Sequence, residues 1–239
     1  VENSIYLGLS RQVALRSNMD AIANNIANVN TAGYRQQNML FQEYINKERG
    51  DFDPMSFVNN SGQYSSTEAG SMSATGNPLD IALAGPGFIG VQSPNGLRYT
   101  RAGNLQMDAT GQLLTSAGDP VADAGGAAIV LPADSSEIKI DENGFVSNQN
   151  GQVGQIMVAE FADTRLMKPV GNTLYETTQA PLPPEKTRVK QGILEGSNVK
   201  SVLEMTNMIE TLRSYQSVQN ILQGENDRLR GMIQKLTKQ

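Results

Sequence analysis

The chain contains no cysteine, no histidine and no tryptophan. Each absence closes a set of functions. Without histidine or cysteine there is no thiolate nucleophile and no Ser-His or Cys-His catalytic pair. The ligand sets of most zinc, haem and iron–sulfur centres go with them. Carboxylate or lysine catalysis and calcium binding through oxygen ligands stay open. No disulfide framework exists, so the redox compartment is not readable from thiols; such a chain suits passage through an oxidising space without cross-linking. Twenty-four acidic against 19 basic residues leave a net charge of −5, so no electrostatic footprint for nucleic acid is present. Long apolar runs are missing too. Nothing approaches the ~18 apolar residues of a membrane span. The opening VENSIYLGLSRQVALRSNMD lacks the charged, apolar and small-residue order of a cleaved secretory signal. A soluble chain without membrane insertion or a Sec-type signal is expected.

What is present is helical at both ends. With 239 residues the chain has room for one large domain or two modest ones. From Ser4 to about Val29, Ile5, Leu9, Leu15, Met19, Ile22, Ile26 and Val29 recur at helical steps, and Thr31-Ala32-Gly33 stops the pattern. From Ser201 to Leu236 no proline occurs. A heptad frame there runs Met205, Met208, Leu212, Tyr215, Gln219, Leu222, Asn226, Leu229, Ile233 and Leu236, and all but Gln219 and Asn226 are apolar. That spacing predicts a coiled-coil-like seam. The basic ending RLRGMIQKLTKQ suits a helix C-terminus. Few large apolar side chains are available to offset the backbone entropy of two such helices, so the pair is expected to need neighbours from other subunits.

The middle reads as β-structure. Leu79, Ile81 and Leu83 alternate in NPLDIALAG, and turn signals recur at Pro94-Asn95-Gly96, Thr110-Gly111, Glu142-Asn143-Gly144 and Asn150-Gly151. Short strands joined by glycine-containing turns imply antiparallel hairpins in a sandwich or small irregular barrel. The fold class is therefore α+β: paired N- and C-terminal helices with an inserted antiparallel β-domain. The expected boundaries are 1–35 pairing with 197–239 as one helical domain, 36–74 and 181–196 as extended linkers, and 75–180 as the β-domain.

Motifs that carry chemistry elsewhere are weak here. AGPGFIG at 84–90 has neither a Walker lysine nor GxGxxG spacing before a helix, and reads as a tight turn. DENG at 141–144 begins like a calcium loop but lacks the later acidic ligands, and reads as a hairpin turn. Asp80, Asp108, Asp119 and Asp141 fall at strand ends or turns, where aspartate serves local hydrogen bonds. A glycosidase-like pair among them would need a cleft that spacing does not supply. Met19, Met205, Met208 and Met232 belong to helical seams, where packing needs no cofactor. Gln219 and Asn226 either set the seam's register or lie where it turns away from its partner. No catalytic, metal or cofactor residue is assigned.

One stretch resists this treatment. ANNIANVNTAGYR, residues 23–35, places Asn24, Asn25, Asn28 and Asn30 at the end of an apolar helix, although asparagine is a poor interior helix residue. The stretch resembles the N-terminal signature of the flagellar axial proteins, the rod, hook and hook-associated subunits. GNPLDIALAGPGFIGVQ (76–92) with RYTRAGNLQMDATGQLLTSAGDPV (98–121) resembles the central block of rod and hook proteins. QGILEGSNVKSVLEMTNMI (191–209) is similar to the C-terminal block of the rod subset, the proximal type more than the distal. The three blocks occur in the family's order and span the chain.

The resemblance implies a non-enzymatic structural subunit of the bacterial flagellar basal-body rod. It also implies export by the flagellar type III apparatus without a cleaved signal, and helical assembly in the periplasm. The rod carries motor torque to the hook, and proximal and distal rod proteins are the implied partners. In such an open assembly, heterologous contacts join different patches of neighbouring subunits. The expected interface is Leu15, Met19, Ile22, Asn24, Asn25, Ile26, Asn28 and Asn30 with Met205, Met208, Leu212, Tyr215, Leu222, Leu229, Ile233 and Leu236. Apolar side chains would supply cohesion there. The amides, each both donor and acceptor, would fix orientation across subunits and bond the turn at Thr31-Ala32-Gly33. Two readings from other classes are a carbohydrate-directed β-domain and a fibre-like oligomer closed by a trimeric coiled coil.

Overall fold

Helix-forming ends and a β-forming middle give an α+β chain of two long helices and sixteen short strands among the described residues. The computed structural model describes residues 2–46, 55–132 and 137–236. Residues 47–54 of the expected linker, and the side chain of Leu236, lie outside what is described. The chain divides into two compact units, and each is taken separately.

One unit draws on the described parts of Val1–Ala27, Gln37–Tyr64 and Lys200–Gln239. Helix α1 spans Glu2–Ala27 and helix α2 spans Ser201–Leu236. Helix α2 carries Glu204 in its first turn and Lys235 in its last, the signs that complement a helix dipole. Gly8 has a packing reason: a Cβ there would stand 2.7 Å from Leu222 Cδ2, so glycine lets the α1 backbone approach Leu222 of α2. The strands Gln37–Asn46 and Met55–Ser65 form a separate two-stranded sheet.

The other unit comprises Asn28–Gln36 and Ser65–Val199. Its largest sheet orders Val158–Ala159, Phe88–Ser93, Gly96–Thr100, Leu174–Glu176 and Lys168–Gly171, every neighbour antiparallel. Gly151–Gln155, Phe145–Asn148 and Lys139–Ile140 make a three-stranded sheet. Ile81, Leu83, Ile89, Val91, Leu113, Val121, Val146 and Ile156 meet in the main core. A second cluster stacks Phe88 on Tyr175 and Phe161 on Tyr99 edge-to-face, at centroid distances of 5.6 and 4.7 Å, the geometry aromatic quadrupoles favour.

The segments with little sequence period carry strands as well. Met72–Ala74 pairs with Ile193–Glu195, and Arg188–Gln191 pairs with Ile81–Ala84. Residues 188–195 thus belong to ladders of this unit. They are short, and glycine at 192 divides them, which leaves little period to read.

Three hairpins use one device. Asp108, Asp123 and Asp141 each begin an Asp-x-x-Gly turn. In each, the Asp Oδ1 accepts from the amides two and four residues on, at 2.8–2.9 Å. The closing Gly111, Gly126 and Gly144 have φ of +84°, +87° and +81°, a region that L side chains avoid. DENG is the third of these turns.

Candidate functional site: the helix faces and a buried charge junction

The helical unit sorts its side chains by polarity less than the heptad count suggests. On α2 the less exposed positions include Glu204, Met208, Thr211, Tyr215, Val218, Leu222, Glu225 and Leu229, with Glu204, Thr211 and Val218 buried. Met208, Tyr215, Leu222 and Leu229 were expected there. The alternate positions of the expected frame point elsewhere: Met205 is 53% exposed, Leu212 43% and Ile233 60%, and Gln219 and Asn226 are exposed. The frame is displaced by one residue at every other position: Glu204, Thr211, Val218 and Glu225 take the inward sites, and Glu204 and Thr211 have hydrogen-bond partners there. Asn25 Nδ2 donates to Glu204 Oε2 at 2.9 Å, Asn18 Nδ2 to Thr211 Oγ1 at 3.3 Å, and Asn207 Nδ2 to Glu204 Oε1 at 3.2 Å. Counting apolar residues cannot find such sites.

On α1, Ala14, Ala21, Ile22 and Asn25 are buried, whereas Leu15, Met19 and Ile26 are half-buried. Tyr6, Leu7, Leu9 and Val13 are exposed, as are Val202, Leu203, Ile209 and Ile221 of α2. The asparagines have separate fates. Asn25, 1% exposed, acts as an extra strand residue: its Oδ1 accepts from Gln37 N and its Nδ2 donates to Gln37 O, both at 2.9 Å. Its amide is engaged inside its own chain, with Gln37 and Glu204. Asn24 and Asn30 are exposed. Asn28 is half-buried and accepts from Thr31 Oγ1 at 3.1 Å, and its carbonyl accepts from Thr31 N.

The β-containing unit holds a charge junction that joins all three sequence blocks. Glu195, from ILEGSN, is 1% exposed. Its Oε1 lies 2.7 Å from Arg35 Nη2, from TAGYR, and accepts from Gly70 N at 3.0 Å. Its Oε2 lies 2.9 Å from Arg101 Nη2 and accepts from Arg101 Nε at 3.0 Å. Arg101, from RYTRAGN, also donates to the carbonyls of Leu83, Gly85 and Gly87, and its guanidinium sits 5.7 Å from the Phe88 ring centroid. Burial lowers its pKa to about 10 while Glu195 opposes the fall, so the cation persists at neutral pH.

The neighbouring residues brace the junction. Gly33 N donates to Glu195 O at 2.8 Å. At φ +68°, a Cβ on Gly33 would come within 2.3 Å of Arg101 C and Ala102 N, so no other residue fits. Asn198 accepts from Gln36 N at 2.7 Å and donates to Glu68 O at 2.9 Å. A Cβ on Gly70 would meet Gly196 O at 1.9 Å. The Gly33 of one block and the Glu195, Gly196 and Asn198 of another therefore have a folding role. Arg35, Arg101, Glu195 and Glu204 were not selected from the sequence. Their signal was present as charged residues inside recognisable blocks, but nothing in one sequence pairs residues from blocks so far apart.

The aspartates weighed as acid–base candidates are engaged locally. Asp80 accepts from Thr75 Oγ1 at 2.7 Å and Asn77 Nδ2 at 3.1 Å, and Asp108 and Asp141 cap their turns. Asp119 accepts from Thr115 N through its carbonyl. The Thr110 hydroxyl and the Gln112 amide hold the Asp108 carboxyl below its ordinary value. Among the described residues no cluster of three or more acidic side chains has metal-binding geometry, and no helix is long and apolar enough to cross a membrane.

Three family models match the chain, one in each of the sequence blocks. Residues 5–35 match the family described as flagella basal body rod protein. Residues 82–148 match the flagellar hook protein FlgE/F/G D1 domain, and 190–235 the flagellar basal body rod FlgEFG protein C-terminal family. The chain is 35% identical to the flagellar basal-body rod protein FlgF of Caulobacter vibrioides, over 100% of this chain and 99% of that one. It is 33% identical to FlgF of Mesorhizobium japonicum, over 91% and 90%. It is 30% identical to the rod protein FlgG of Bacillus subtilis, over 96% and 97%. This chain belongs to the family of flagellar basal-body rod proteins.

Proposed function

We propose that the chain is a structural subunit of the flagellar basal-body rod, of the proximal FlgF type, which assembles helically with other rod proteins and carries motor torque to the hook. The observation that carries the reading is the apolar surface left on both terminal helices. Val202 is 78% exposed, Tyr6 61% and Ile221 62%, and such rows of large apolar side chains mark surfaces that associate. The helices act as a coiled-coil-like pair whose inward side is part polar and whose outward side faces neighbouring subunits. The helical ends form one domain, and the β-containing unit a second.

The interface comprises the outward members of the two helices, Met205, Leu212 and Ile233 among them, with Asn24 and Asn30 orienting the contact. Proximal and distal rod proteins are the partners, reached after type III export into the periplasm without signal cleavage. No residue carries chemistry in this reading, and stiffness comes from packing. Met205→Asp with Leu212→Asp tests it. Both side chains are exposed, so the isolated chain should lose no more than about 1 kcal/mol of stability, about 0.5 for each change, while rods fail to assemble when the variant replaces the native chain in flagellated cells. Normal rods from this variant would refute the interface.

A further inference from the structure

The β-containing unit encloses a cavity of about 280 Å³ beside the charge junction, lined by Arg35, Ser65, Phe88, Arg101, Met167 and Tyr175 among others. One buried side-chain donor of this lining, Arg35 Nη1, lacks a hydrogen-bond partner among the described residues, and the Ser65 hydroxyl beside it has only the Tyr175 phenol for company. A buried donor without a partner is rare in folded chains and calls for an explanation. The charges point the same way. The junction sets two guanidiniums, Arg35 and Arg101, against the single carboxylate of Glu195, and no acidic residue lines the cavity. One positive charge is left uncompensated in a poorly solvated place. The remaining wall is apolar, with Phe88, Met167, Pro86 and the Tyr175 ring.

We infer that this cavity is a binding site for a carboxylate carried on a short apolar stem, its oxygens taking the free Arg35 N–H and the Ser65 hydroxyl and its stem lying against Phe88 and Met167. An arginine fork and a carboxylate match in shape as well as charge. A monoanion balances the junction, whereas a doubly charged phosphate overshoots it. Two sources offer the same chemistry: a free short-chain acid, or a glutamate side chain of a neighbouring subunit. The second source rests on the rod reading above; the first does not.

Propionate, the glutamate side chain without its backbone, is the probe, with propionamide and chloride at matched ionic strength as controls. At about ten times its dissociation constant, propionate should raise the thermal unfolding midpoint of the isolated chain by about 3–6 °C over chloride, and propionamide should not. Titration should move the Arg35 side-chain nitrogen resonances. Ser65→Ala should keep the fold and weaken propionate about 3–10-fold. Ala69→Trp, at an exposed position of the rim, should abolish the response. Equal midpoints in all three solutes with unmoved Arg35 signals would overturn the site and leave the cavity to water. Once binding is established, cells separate the sources. Failed rods with Ala69→Trp identify a neighbour's glutamate, and normal rods identify a free acid. Because the propionate readout needs no assembly, its failure leaves the rod reading untouched.

Discussion

Glu195 concentrates the residue-scale argument, because a buried carboxylate holding two guanidiniums is indispensable once they are buried with it. Burying ions is costly, and removing one partner strands the others. Glu195→Gln should therefore cost about 3–5 kcal/mol, read as a lower urea midpoint with an unchanged slope. A small loss would mean that water reaches the arginines. Asp108 tests a gentler contact. Its carboxyl is held below its ordinary value of 3.8 by the Thr110 hydroxyl and the Gln112 amide. A folded-state value below the unfolded one contributes stability above the unfolded value, lost as pH falls through the folded one. Asp108→Asn should accordingly flatten the pH dependence of the unfolding midpoint below about pH 4 and leave the neutral range unaltered. The turn glycines and the breaker at Gly33 were legible because φ above zero nearly dictates glycine. Glu195 was not, since its partners lie in two other blocks and no local pattern joins them.

At the scale of elements, the adjacent amides Asn24 and Asn25 separate two roles that the sequence shows as one. Asn25 is buried and bonded to Gln37 and Glu204; Asn24 is exposed. Asn25→Leu would leave the Gln37 amide and the Glu204 carboxylate short of partners, at about 1–3 kcal/mol for each group. Asn24→Leu should cost less than about 1 kcal/mol. Denaturant unfolding of the two variants gives the contrast directly, and equal losses would refute the assignment. Asn24→Leu with Asn30→Leu then asks whether the exposed amides also orient subunits, with rod assembly as the readout. The N-terminal helix was legible from its three- and four-residue apolar steps and the C-terminal helix from its heptads and lack of proline. Their inward sides were legible only by half, because Glu204, Thr211 and Asn25 are buried polar residues whose partners lie on the other helix or on the strand from Gln37. Hairpins were legible from turn chemistry; the turn at Asp123–Gly126 shares the device of the other two but lies in an alanine- and glycine-rich stretch with no alternating strands to frame it.

For the molecule as a whole, the two units differ in how they are held. The β-containing unit has an extensive apolar core and the charge junction. The helical unit leaves large apolar residues in solvent along α1 and α2 and adds a two-stranded sheet, an element of marginal stability by itself. Helix stability in water comes mostly from packing of an apolar face, and much of that face is uncovered in one copy. Hydrogen–deuterium exchange on the isolated chain should therefore find α1 and α2 exchanging well before Ile81–Ala84 and Phe88–Ser93, the ladders inside the core. Assembly into rods should slow both helices while leaving the ladders as they were. If instead the helices are already protected in a species of fixed size, their outward faces have found partners without an open tube. A closed coiled-coil oligomer would then replace the helical rod as the arrangement these faces serve.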